Sequence, residues 1–155
     1  MSNLSNNFIA GEWVKGSSSI SNINPSDTND VIGEYAQANN AQLEDALNSS
    51  QIAQKQWAAT GLEQRQAVLM KIGEEMMARS AELGELLSRE EGKPVAEGKG
   101  EIYRAGQFFT YYAAEVLRQS GDTADSVRPN IEIDVRREAM GTVAIISPWN
   151  FPTAT

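Results

Sequence analysis

Gly141-Thr142-Val143-Ala144-Ile145-Ile146-Ser147-Pro148-Trp149-Asn150-Phe151-Pro152 is the stretch whose reading decides the fold. Val143 to Ile146 is a short apolar run after a glycine, the pattern of a buried strand in a parallel sheet. Ser147-Pro148 ends that strand, because proline has no N–H to give a ladder. The loop beyond it carries an indole, a side-chain amide and a phenyl ring. Ligands of open α/β sheets gather at the carboxyl ends of strands, so chemistry is expected in this loop.

Upstream, the pattern changes from short strands to helices. Residues 8–14 and 19–36 read as short strands, with Gly11 in one turn and Gly16-Ser17-Ser18-Ser19 in another. Asn39 with Gln42 forms a capping box for a first helix, whose apolar face is Leu43, Ala46, Leu47, Ala53 and Trp57. Thr60 with Glu63 reads as a second box, ahead of Val68, Leu69, Ile72, Met76 and Met77. Ser80 opens a third helix with Leu83, Leu86 and Leu87, and Gly92 ends it. Pro94 suits the first turn of a long fourth helix that runs to about Arg118, with Gly121 beyond its end. Asn130 to Arg137 then alternates, with Ile131, Ile133 and Val135 against Glu132, Asp134 and Arg136. That is a strand with one wet face, or one waiting for a partner chain. The order is a peripheral layer built ahead of the first strand of a doubly wound sheet, which needs several βαβ units to close its core.

Composition narrows the function classes. Thirteen basic and 21 acidic residues among 155 give a net charge of −8, which argues against nucleic acid or an anionic membrane as a partner. No apolar run reaches membrane-spanning length, and Met1 to Asn7 has neither the basic start nor the apolar core of a secretory signal. A cytoplasmic location is the default expectation, and Asn48-Ser49-Ser50 reads as a chance glycosylation pattern. Histidine and cysteine are both absent, which removes the usual zinc ligands and disulfides, so no metal is expected.

Ser147-Pro148-Trp149-Asn150-Phe151-Pro152 resembles the signature of the NAD(P)-dependent aldehyde dehydrogenases. Arg137-Glu138-Ala139-Met140-Gly141 leading into it is similar too. So are Phe8-Ile9-Ala10-Gly11-Glu12-Trp13, Asn24-Pro25, Trp57, Glu91-Gly92-Lys93-Pro94 and Tyr111-Tyr112-Ala113. The resemblance implies an α/β fold. Peripheral strands and four helices would lead into the first strand of a Rossmann-like doubly wound sheet. It also implies that residues 1–155 are an incomplete N-terminal part of an NAD(P)-binding domain, with the catalytic domain and its cysteine nucleophile elsewhere. Residues 130–138 resemble the family's oligomerisation strand, so a homo-oligomer is expected of the full-length parent.

The resemblance also assigns roles. Asn150 would aim its amide at the oxyanion of a tetrahedral adduct. By residue type alone, it reads as a turn asparagine bonding its own backbone. Ile146, Ser147, Pro148 and Trp149 would meet NAD or NADP, through free backbone groups at a strand end and a flat indole wall. Without the motif Trp149 is equally a core aromatic. Phe151 would line the aldehyde tunnel, or simply pack. Tyr111 and Tyr112 register the long helix against the family, and that register turns the Arg104 region toward the tunnel. There a guanidinium would take a substrate carboxylate bidentately. The alternative is an exposed arginine paired with Glu101.

Two tempting patterns are set aside. Gly98-Lys99-Gly100 lies in a helix with no strand before it, so it reads as a close-packing site rather than a phosphate loop. Glu90-Glu91 and Glu97 with Glu101 read as solvated helix faces.

The expected activity of the parent is oxidation of an aldehyde to an acid through a cysteine thioester. The aldehyde is a small molecule carrying a carboxylate, with 2-oxoglutarate semialdehyde as the nearest match and succinate semialdehyde as the alternative. A different class stays open: a non-catalytic fragment that serves only in packing or assembly.

Overall fold

The computed structural model describes residues 4–154. Strands come first. They are β1 (Leu4–Ser5), β2 (Asn7–Ile9), β3 (Glu12–Val14), β4 (Ser18–Ile23) and β5 (Val31–Gln37). Four helices follow: α1 (Asn40–Ala58), α2 (Leu62–Ala78), α3 (Ser80–Glu91) and α4 (Val95–Val116). A last pair, β6 (Asp122–Asp125) and β7 (Glu132–Val135), completes the regular structure. β2 and β3 form one antiparallel hairpin. β5 is central in a three-stranded sheet, antiparallel to β4 and parallel to β1.

Local chemistry explains most helix ends. At the start of α1, the Gln42 backbone N–H donates to Asn39 Oδ1 at 2.9 Å, and the Asn39 N–H donates back to Gln42 Oε1 at 3.2 Å. The second box is not formed. Gly61 caps α2 without a side-chain bond, and the Thr60 hydroxyl instead donates back to the Trp57 carbonyl at 2.7 Å. Thr60 is spent closing the end of α1, so it does not open α2. Gly92 ends α3 at φ +77°, with its N–H donating to the Ser88 carbonyl at 2.8 Å. That left-handed conformation is cheap for glycine and strained for other residues. It reverses the chain into Lys93 and Pro94, the residue that caps α4.

The core lies around α4, which packs on both α2 and α3. Its buried side chains are small or single: Ala105 and Ala113 on α4, with Ile102 and, from α3, Leu87. Paired glycines set these close approaches. A Cβ on Gly106 would come within 2.7 Å of the Gly73 carbonyl oxygen, and one on Gly73 within 2.6 Å of the Gly106 carbonyl. A Cβ on Gly84 would lie 2.5 Å from the Lys99 backbone, and one on Gly98 would overlap the Gly84 carbonyl. The close-packing reading of Gly98 therefore holds.

The sheet is tied to the end of α3 by polar groups. Arg89 makes a two-pronged pair with Asp30, at 2.8 and 2.6 Å. Glu90 Oε1 accepts from Asn22 Nδ2 at 3.1 Å and from the Tyr35 hydroxyl at 3.0 Å. The Ser26 hydroxyl donates to the Gly92 carbonyl at 2.9 Å. Glu90 is therefore no solvated helix residue.

Three further expectations change. The α1 face is uncovered, with Leu43, Leu47 and Trp57 all exposed. The strand expected within 130–137 is shorter and gains a partner, since β7 pairs with the unforeseen β6 in a hairpin. Val143 to Ile146 is neither paired nor buried among the described residues, and Ile146 is 94% exposed. A parallel strand is stable only between neighbours that cover both faces, and no other described strand lies beside this one. No described helix is long and apolar enough to cross a membrane.

Gly98→Val should lower stability by about 1–3 kcal/mol, because a branched side chain cannot fit against the Gly84 carbonyl without pushing α3 and α4 apart. Gly100→Ala, where a Cβ meets open space, should be neutral or slightly stabilising. Urea melts of the two variants would check this, and equal effects would remove the packing explanation.

Candidate active site

The loop after residue 146 returns to the N-terminal half of α4. It is received there by Lys93, placed by the Gly92 turn, and by Glu101, two turns along the helix. Glu101 is 4% exposed. Its Oε2 pairs with Lys93 Nζ, and its Oε1 accepts both the Thr153 N–H at 2.9 Å and the Thr153 hydroxyl at 2.7 Å. Lys93 Nζ also pairs with Glu91 Oε2 at 2.5 Å and donates to the Asn150 backbone carbonyl at 3.3 Å. The same ammonium lies 4.7 Å from the centre of the Phe151 ring. Such placement over a ring face is favourable.

Burial pushes the Glu101 carboxyl up, but Lys93 and the two Thr153 donors outweigh it and hold the group below the ordinary glutamate range. Burial likewise pulls the Lys93 ammonium down. Its bonds to Glu101 and Glu91 outweigh that and hold it above the ordinary lysine range. Both groups are charged at neutral pH. Glu101 and Glu91 are thus not solvated helix residues, and of the four glutamates read that way only Glu97 is exposed. Neither Glu101 nor Thr153 was picked out by sequence. The available signal was Lys93 within Glu91-Gly92-Lys93-Pro94, a lysine beside a helix break with a glutamate eight residues on.

Of the expected site residues, the structure brings Asn150 and Phe151 to this cluster. Asn150 is exposed, and its side-chain amide makes no hydrogen bond among the described residues. The bond to its own backbone that a turn asparagine would make is not formed. Ile146, Ser147, Pro148 and Trp149 are exposed, with Trp149 at 87%. Among the described residues, 143–149 make no backbone–backbone hydrogen bond, so their N–H and C=O groups are open. Core packing is not the role of Trp149 here.

Arg104 lies on α4 three residues past Glu101 and is exposed. It donates to Gln107 Oε1 at 3.1 Å, and its guanidinium sits 4.7 Å from the Phe108 ring centre. Glu101 is not its partner, since both carboxylate oxygens are taken by Lys93 and Thr153. No described cluster of three or more His, Cys, Asp or Glu side chains could hold a metal ion.

A helical layer thus lies against a small sheet, and the loop after residue 146 presents an exposed indole and a side-chain amide without a hydrogen-bond partner among the described residues. The aldehyde dehydrogenase family pattern matches residues 13–155, and the chain belongs to that family. It is 35% identical over 150 residues to alpha-ketoglutaric semialdehyde dehydrogenase of Bacillus subtilis (strain 168), covering 96% of this chain and 31% of that protein. The crystal structure of an aldehyde dehydrogenase from Brucella melitensis biovar abortus 2308 superposes with a TM-score of 0.91 at 32% identity. It covers 97% of this chain and 31% of its own. A putative methylmalonate-semialdehyde dehydrogenase from Sinorhizobium meliloti 1021, solved with NAD, gives 0.86 at 33% identity, covering 99% and 32%. The chain thus spans less than a third of the length of these relatives, and its fold is that of their N-terminal part.

The Glu101 clamp should fail in acid. Its folded-state value lies below the ordinary 4.5, so its contribution is complete above that value and is lost as pH falls through the lower one. Amide exchange at Thr153 should stay slow from neutral pH to about pH 5 and speed up, beyond the intrinsic trend, below the ordinary value. Glu101→Gln should remove that acid step. An unchanged step in the variant would assign it to another carboxylate.

Proposed function

We propose that this chain is the N-terminal part of the NAD(P)-binding domain of an enzyme that oxidises a carboxylate-bearing aldehyde to its acid. The observation that supports this best is Asn150: its backbone is tethered, and its exposed side-chain amide has no hydrogen-bond partner among the described residues. A cysteine thiolate from beyond these 155 residues would add to the aldehyde carbon, placing negative charge on the former carbonyl oxygen. The Asn150 N–H would donate to that oxygen, stabilising it in the transition state. NAD or NADP, when bound, supplies the acceptor for the aldehyde hydride. The open backbone of Ile146, Ser147 and Pro148 and the exposed Trp149 indole fit such a group, since both a hydrogen-bonding edge and a flat wall are available. Water then releases the acid from the thioester and returns the thiolate.

Arg104 is proposed to read the substrate's far carboxylate, with Phe151 lining the approach. Among the described residues its guanidinium has only Gln107 as a hydrogen-bond partner, so most of its donors remain to be used. The semialdehyde names of the similar proteins favour 2-oxoglutarate semialdehyde, with succinate semialdehyde as the near alternative.

A second reading rests on the β6–β7 hairpin, where Ile133 and Val135 are exposed on a two-stranded ribbon. Residues 130–138 would then act as an oligomerisation strand, and the 155 residues would serve assembly rather than chemistry.

The 155-residue chain alone should give no NAD(P)H from any aldehyde, because it contains no cysteine. In the cysteine-bearing enzyme of which it is the proposed part, Asn150→Ala should cut kcat by roughly a hundredfold to a thousandfold, or about 2.7–4 kcal/mol. Binding of the dinucleotide should change little. Near-normal turnover in that variant would leave the assembly reading in place.

Arg104→Ala should reduce kcat/KM for acidic semialdehydes by roughly tenfold to a hundredfold, from the loss of about 1.5–3 kcal/mol in a charge-assisted hydrogen bond. Pentanal should be unaffected or slightly better. A parallel loss for acidic and neutral aldehydes would instead assign Arg104 to holding the helix.

A further inference from the structure

The ion pair at the start of α4 is costly in isolation. Glu101 is 1% exposed at its side chain, Lys93 11% and Glu91 13%. Buried pairs are weak sources of stability, because desolvation cancels much of the attraction, and apolar side chains of similar volume often serve as well. The hydrogen-bond inventory points to another use. A lysine ammonium has three donors, and the three acceptors on it are Glu91, Glu101 and the Asn150 carbonyl. One oxygen of Glu101 faces Lys93, while the other takes the two donors of Thr153. The loop therefore completes both charged groups. If it departed, Lys93 would lose its third acceptor and a buried Glu101 oxygen would lose both its donors.

The two contacts flank Asn150 closely. One is its own carbonyl, and the other is three residues on. Both go to groups fixed by backbone geometry, since Glu101 sits inside α4 and Lys93 follows the left-handed Gly92. An oxyanion donor must be held within about 0.5 Å of its working position, which a loop does not achieve without such supports.

Building on the role proposed for Asn150, we infer that Lys93, Glu101 and Thr153 are positioning residues that pin the Asn150 backbone so that its amide is presented preorganised. They touch neither substrate nor cofactor and act through Asn150.

The first test uses the 155-residue chain itself. Thr153→Val keeps the shape and removes the hydroxyl donor, while Thr153→Ser keeps the donor. Amide exchange at residue 153 should become at least tenfold faster in Thr153→Val and in Lys93→Met, with protection within α4 retained. Thr153→Ser should match the parent. Unchanged exchange at residue 153 in both Thr153→Val and Lys93→Met would overturn the clamp.

The second test is a double-mutant cycle in the cysteine-bearing enzyme. Thr153→Val alone should lower kcat about tenfold, with KM for the dinucleotide unchanged. In an Asn150→Ala background it should have no further effect. An equal cost in both backgrounds, or none in either, would overturn the inference while leaving the role of Asn150 intact. Full activity of Asn150→Ala alone would instead remove the catalytic reading and the positioning role with it.

Discussion

The rest of the structure depends on how closely α4 approaches α2 and α3. At Gly73 with Gly106, and at Gly84 with Gly98, one helix meets the backbone of another with no Cβ between them. Packing at that distance fixes the rotation of α4 as well as its position, because a close crossing tolerates little sliding or twist. Rotation is what counts for the site. It turns Glu101 into the buried face, beside Ile102 and Ala105, and leaves Tyr103 and Arg104 on the outer one.

A single left-handed residue links this packing to the loop. Gly92 stops α3 and redirects the chain so that Lys93 reaches back over the first turns of α4. The chain continues through Pro94, whose missing N–H leaves nothing unsatisfied at a helix start. The same turn bonds to Ser26, so the β4–β5 hairpin also bears on the spot where the ammonium is set. Sheet, helix pair and loop therefore meet at one corner, held largely by polar groups. Charges there are tolerable because each has a partner of opposite sign, although Glu91 Oε1 is buried without a hydrogen-bond partner among the described residues.

Patterns confined to one helix or one turn were legible from the residues. The Asn39 and Gln42 box, the Gly92 stop, the Pro94 start and the packing role of Gly98 all depend on chemistry within a few positions. The Thr60 and Glu63 box failed because two local uses of one hydroxyl competed, and the bond to the Trp57 carbonyl won. Strand β6 was illegible because Asp122-Thr123-Ala124-Asp125 has no apolar alternation, and it pairs only because β7 lies opposite. The alternation around β7 was visible, but nothing in it named the neighbour.

The sequence by itself determined the α/β class, the succession of short strands and four helices, the loop that carries Asn150 and the absence of cysteine among these 155 residues. Those follow from periodicity, capping chemistry, composition and a six-residue signature, all of which are readable along one dimension. Tertiary structure alone decided that Glu101 is buried and charged, that Lys93 and Thr153 meet it, and that Val143 to Ile146 stands unpaired. Burial and ion pairing depend on which faces come together across 52 residues between Glu101 and Thr153, and eight between Lys93 and Glu101. A glutamate reads the same in a sequence whether its helix turns it toward water or toward a lysine, and only the packing of α4 settles which.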